Sequence, residues 1–242
     1  MPRSFHPAPA LASAPPLGLH DGQLEALKWI GLVSMFIDHI GRHLLGHPQD
    51  GWVFALGRIA FPCFALVLGL NLARAGDRAA RCARTAGRLA AWCAVAAFPS
   101  IWARGDPQVV NVFGTLALGA GLCWAVEAAA PVALRVLACV AIGTAAWWVE
   151  FGIGGVFLVA AVYLFALRPE PGLAIVAALL LLATAWLNAS FGGAAAFAGS
   201  LACLPLLLLA RGLPSAIPRW QLLFYAIYPV HLAVIGALKR WG

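Results

Sequence analysis

LEALKWIGLVSMFIDHIGRHLLG, residues 24–46, is long and apolar enough to cross a bilayer. Its second half nevertheless carries Asp38, His39, Arg42 and His43, with His47 just beyond. A charged side chain at the bilayer centre costs at least ~2.5 kcal/mol even on the mildest insertion scales. Ionisable groups packed this densely in one span call for a polar site that other helices enclose.

The rest of the chain fits a membrane setting. Of 242 residues, 63% are hydrophobic and only 10% charged. Mean hydropathy is +0.89. Soluble domains carry roughly 25% charged residues. Lipid offers the backbone no hydrogen-bond partners, so apolar spans must be helices, and the alternating pattern of a membrane barrel is absent. The sequence therefore predicts an all-α polytopic membrane protein with eight to nine transmembrane helices. The formal net charge of +7 does not point to nucleic acid, because no basic stripe interleaved with aromatics lies outside the apolar segments. The six cysteines are scattered and none forms CxxC, which predicts small buried hydrophobes rather than disulfides or a metal cage.

Residues 1–22 are rich in Ala and Pro and read as a disordered cytosolic tail, and residues 23–242 as a single transmembrane domain. Apolar runs predict spans at 24–46, 52–73, 86–103, 109–128, 131–150, 151–167, 171–188, 194–210 and 220–238. Between the second and third lies ARAGDRAARCARTAGR, whose five arginines read as a cytosolic loop. With that loop inside, nine alternating spans put eleven basic residues on the cytoplasmic side and five on the other. The N-terminus is then cytoplasmic.

This topology gathers the intramembrane polar residues at one depth, the middle to outer half. Asp38, His39 and Arg42 come from the first span and Arg58 from the second. Asn111 comes from the fourth, Glu150 from the fifth, and Tyr228 and His231 from the last. Each has a plainer reading. Asp38 and Arg42 stand four apart and can neutralise each other. Arg58 can snorkel to the interface, Glu150 can cap a helix end, and His231 can be a satisfied core histidine. His39, His43 and His47 repeat at a spacing that suits metal ligands, but nothing completes a site, so no metal is expected. Phe61-Pro62, Phe98-Pro99 and Tyr228-Pro229 are read as interruptions of their helices.

The phrases LKWIGLVSMFIDHIG, LGRIAFPCFALVLG, NVFGTLALG, VEFGIGGVFLVAAVYLF and FYAIYPVHLAVI occur in this order. Together they resemble the TraX family of conjugative pilin acetylases over about residues 24–240. A wider likeness runs to the multispanning membrane acyltransferases. The resemblance implies an integral protein of the bacterial inner membrane. It implies acetyl-CoA as co-substrate and the N-terminal amine of a pilin, or another membrane-associated acceptor, as partner. It marks Asp38, His39, Arg58 and His231 as catalytic candidates. Arg42, Asn111, Glu150 and Tyr228 are candidates for binding donor or acceptor. Phe151 follows Glu150 where the family often has Tyr. Either His39 or His231 could be the general base, and Asp38 is expected to orient a group on another helix, Arg58 or His231. The residues by themselves also suit an acyltransferase with a sugar or lipid acceptor or a proton-coupled transporter, and the resemblance is compatible with a non-catalytic assembly factor that binds pilin.

Overall fold

The computed structural model describes residues 18–213 and 217–241. Most of the expected Ala/Pro-rich tail lies outside the described residues. Among the described residues the fold is all-α, with ten α-helices. They are α1 (Asp21–His43), α2 (Trp52–Gly57), α3 (Ala60–Leu72), α4 (Arg78–Arg104), α5 (Val112–Glu127), α6 (Val132–Ala145), α7 (Gly152–Leu167), α8 (Pro171–Leu201), α9 (Cys203–Ala210) and α10 (Gln221–Trp241).

Three helical stretches are long and apolar enough to cross a membrane: Trp52–Leu72, Pro171–Ala210 and Gln221–Trp241. Val132–Trp148 and the helices α5 and α7 are apolar but shorter. These are the helices of a multi-pass membrane protein. α1 is also long enough, and Glu25, Lys28, Asp38 and Arg42 set it apart from the three long apolar stretches. Those charges are neutralised within the protein. Lys28 Nζ lies 2.6 Å from Glu25, and Arg42 Nε lies 2.5 Å from Asp38.

α1, α3, α7, α5, α4 and α10 pack in succession, and α10 returns to α1, so six helices close a ring. α6 packs on the outside of α5, and α8 on the outside of α7 and α2. α6 has no buried residue and exposes Val132, Leu134, Val136, Leu137 and Val140. An apolar face of this size is stable only against lipid or another protein.

Three local features differ from the sequence expectation, each for a physical reason, and a fourth agrees with it. The arginine-rich stretch is mostly helix rather than loop. From Arg78 it forms the first turns of α4, because Ala and Arg favour helix and the Asp77 side chain accepts from the Ala80 N–H as N-cap. The second span is divided into α2 and α3 at Arg58-Ile59. Pro62 has no N–H for the Arg58 carbonyl four residues back, which loosens the chain there. α4 and α10, in contrast, run through Pro99 and Pro229 as continuous helices. The agreement is in α8, which is two arms, as the separate spans 171–188 and 194–210 predict. Gly192 and Gly193 leave helical geometry, Gly193 at φ 61°, and Asn188 Nδ2 donates to Ser200 Oγ at 2.8 Å. In a straight helix those residues would stand ~18 Å apart, so the chain turns back on itself at the glycine pair.

Candidate active site

The site begins with one carboxylate. Asp38 is 1% exposed and takes both available guanidinium groups. Arg42 on the same helix donates to Oδ1 from Nε at 2.5 Å and to Oδ2 from Nη2 at 2.8 Å. Arg58, between α2 and α3, donates from Nη2 to Oδ2 at 2.8 Å. Gly57 permits this approach. A Cβ there would fall 2.3 Å from Asp38 Cβ and 2.5 Å from its carboxyl carbon. Arg58 lies over the Phe54 ring, its guanidinium carbon 4.1 Å from the centroid. Its Nη1 reaches Asn188 Oδ1 at 3.5 Å, and its Nε is buried without a partner.

One residue on, the helix turns His39 in a different direction. Its Nδ1 lies 2.7 Å from His231 Nε2 on α10, with the two ring planes 12° apart and centroids 5.0 Å apart. His231 Nδ1 is 2.9 Å from the Ile227 carbonyl. A carbonyl only accepts, so His231 Nδ1 carries the hydrogen and donates to it. In a neutral pair His231 Nε2 is then the acceptor, and His39 Nδ1–H donates to it. The remaining lone pair falls on His39 Nε2. His43 Nε2, one turn along α1, is buried without a partner, and its ring centroid is 5.8 Å from that of His39.

Tyr228 closes the histidines from α10. It is 5% exposed, 5.6 Å from the His231 ring, and edge-on to Phe113 at 5.0 Å. A small cavity of about 30 Å³ lies among Met35, Asp38, His39, Arg58, Glu150 and Tyr228. That is room for one or two waters or a small acyl group. Its wall includes the Phe61–Phe151 stack, with centroids 3.8 Å apart.

Glu150 is placed by backbone pairing. Val110 N–H donates to the Trp148 carbonyl at 2.8 Å, and Glu150 N–H donates to the Val110 carbonyl at 3.0 Å. This bridge holds the loop before α5 against the segment before α7. Arg104 faces Glu150 at 3.7 Å. Asn111 is engaged by the backbone through both its oxygen and its nitrogen. Its Oδ1 accepts from Phe113 N–H as N-cap of α5, and its Nδ2 donates to the Cys93 carbonyl. It therefore fixes α5 rather than offering a free amide.

Of the residues singled out from the sequence, Asp38, Arg42 and Arg58 meet in one cluster, and His39, His231 and Tyr228 in a second beside it. Glu150 lines the cavity between them, and Asn111 stands behind it. Asn188, Ser200, Phe54 and Arg104 were not singled out. Asn188 carried a signal, as a lone amide ending an apolar run. Among the described residues no group of three or more His, Cys, Asp or Glu gathers as metal ligands. All six cysteines are free thiols, four of them buried.

Comparison with known proteins adds a family. "Protein TraX" of Escherichia coli is 34% identical over 232 residues, covering 90% of this chain and 87% of the relative. "Protein TraX" of Escherichia coli strain K12 is 51% identical over 53 residues, covering 22% of this chain and 21% of the relative. No solved structure matches. The family described as TraX protein matches residues 23–239, nearly the whole length over which these clusters are assembled, and the chain belongs to the TraX family.

Proposed function

We propose that the protein is an N-acetyltransferase of the bacterial inner membrane, with its N-terminus in the cytoplasm. It moves the acetyl group of acetyl-CoA to the N-terminal amine of a pilin subunit. The observation that supports this most is the His39–His231 pair at 2.7 Å, beside a small cavity also lined by Arg58, in a TraX-family chain.

In this reading His39 Nε2 is the general base. It accepts a proton from the acceptor nitrogen as that nitrogen attacks the thioester carbonyl carbon. His231 fixes the ring and the tautomer through Nδ1 of His39. Asp38 holds the guanidinium of Arg58, whose unspent Nε–H can donate to the oxyanion of the tetrahedral intermediate. The C–S bond then breaks, the sulfur keeps the electron pair, and the imidazolium of His39 returns a proton to give coenzyme A. Glu150 supplies a carboxylate that attracts the incoming ammonium group, which loses one proton to solvent so that the neutral amine is what attacks beside His39. An acetyl-CoA donor needs no metal in this scheme.

The test is turnover by purified protein in detergent, with acetyl-CoA and a peptide of the pilin N-terminus. His39→Ala should lower kcat by 10²-fold or more, the usual range for a general base. His231→Ala should lower kcat less and leave the KM for the donor unchanged. Wild-type rates in both variants would eliminate the histidine base.

A further inference from the structure

The ring of helices encloses a second, larger cavity of about 360 Å³ at the opposite end of α1 from His43. Its wall is apolar toward the site, with Leu32, Phe64 and Leu116, and Met35 and Tyr228 line both this chamber and the small one. Its mouth is cationic. Lys28, Arg74, Arg81, Arg88 and Arg219 face it, against a single carboxylate, Glu25.

Four of these cations have partners. Lys28 pairs with Glu25, and Arg74 and Arg219 with Asp21. Arg81 donates to the carbonyls of Leu72, Arg74 and Ala75. Arg88 has no ion pair or hydrogen bond among the described residues. Its guanidinium carbon stands 5.6 Å from the Tyr225 ring centroid. Arg74 Nε is buried without a partner. An apolar shaft beneath an excess of positive charge suits a ligand with a polyanionic head and an uncharged arm. Coenzyme A has that form, with a 3′-phosphate and a diphosphate at one end and pantetheine leading to the thioester. From Lys28 at the mouth to His39 is ~16 Å along α1, a span that the pantetheine arm matches.

We propose that this chamber binds the acetyl donor, with its phosphates at the Arg88 rim and its thioester delivered past Met35 and Tyr228 to His39. The inference rests on the acetyltransferase reading for the name of the donor, but its test does not need transfer. Arg88 is a phosphate ligand, and Tyr225 supplies a ring beside it for the adenine. The donor then enters from one end of the bundle and the acceptor from the other, with the two histidines between.

The experiment is calorimetric titration of the full-length protein in detergent with coenzyme A, dephospho-coenzyme A and pantetheine. Coenzyme A should bind most tightly and pantetheine least. Arg88→Gln should weaken coenzyme A about tenfold, the loss expected for one charge-assisted hydrogen bond, and leave pantetheine unchanged. Arg219→Gln should act in the same direction. His39→Ala should bind coenzyme A as the wild type does. Equal affinity for coenzyme A and pantetheine, or unchanged affinity in both arginine variants, would overturn the chamber as the donor site. Tight coenzyme A binding lost in Arg88→Gln, with no transfer to any pilin peptide, would uphold the chamber and remove the pilin reading instead.

Discussion

Asp38 is the residue on which the site turns. It is a buried carboxylate between two guanidinium groups, and each arginine depends on it for charge balance. Removing one partner of a buried ion pair typically costs about 3–5 kcal/mol, because the opposite charge is left uncompensated. Asp38→Asn leaves two such charges. The expected outcome is a lowered thermal midpoint in detergent together with loss of transfer, and an unchanged midpoint would show that the cluster carries no structural weight. The i,i+4 spacing of Asp38 and Arg42 is legible in the sequence, and so is the need for a partner on another helix. The choice of Arg58 over His231 is not. It depends on Gly57, whose missing side chain lets α2 come within reach of the carboxylate. Asn188 shows the same limit, since only the turn at Gly192-Gly193 brings that arm of α8 to Arg58.

At the scale of elements, α1 is tied to its neighbours at both ends. At its start Asp21 meets Arg74, at the end of α3, and Arg219, just before α10. The Arg74 hydrogen bond, reinforced by the charges of Arg74 and Arg219, holds the Asp21 carboxyl below its ordinary 3.8 despite slight desolvation. A depressed carboxylate stabilises the fold fully above its unfolded pKa and loses that contribution as pH falls through its folded value. Asp21 is half exposed, so solvent screening limits the effect to at most ~1 kcal/mol. Thermal midpoints of wild type and Asp21→Asn should differ slightly at pH 6 and converge well below pH 3.8. A gap that persists in acid would assign the effect to packing. α4 illustrates how an element is misread. Its arginines look like a loop when charge is weighed alone, yet Ala-rich composition and the Asp77 cap make a helix, and that helix carries Arg81 and Arg88 to the rim of the large chamber.

At the scale of the whole molecule, the described residues form a ring of six helices with others packed outside it, and large hydrophobic side chains are exposed on its outer surface. Leu137 on α6 is 63% exposed. On a protein in water, Leu137→Arg would change stability within about ±0.5 kcal/mol. Facing lipid, it should cost roughly 2.5–3.5 kcal/mol at the centre of a span. A sharp fall in the membrane-integrated fraction of the variant is the expected result, and undiminished integration would mean that α6 faces water or protein.

Composition alone determined that the chain is helical and membrane-bound, because a sequence this apolar can satisfy its backbone only within helices. Order and spacing of the short motifs determined the family. The cluster of ionisable residues in α1 announced that a polar site exists. Which partner each of them takes was decided by the tertiary structure. Neighbouring residues of a helix point about 100° apart, so Asp38 and His39 serve different helices, one the arginines and the other His231. The tautomers of the histidine pair follow from the Ile227 carbonyl, a backbone acceptor that no side-chain pattern reveals. The two chambers meeting at Tyr228 exist only once α10 closes the ring, since their walls come from helices far apart in the chain.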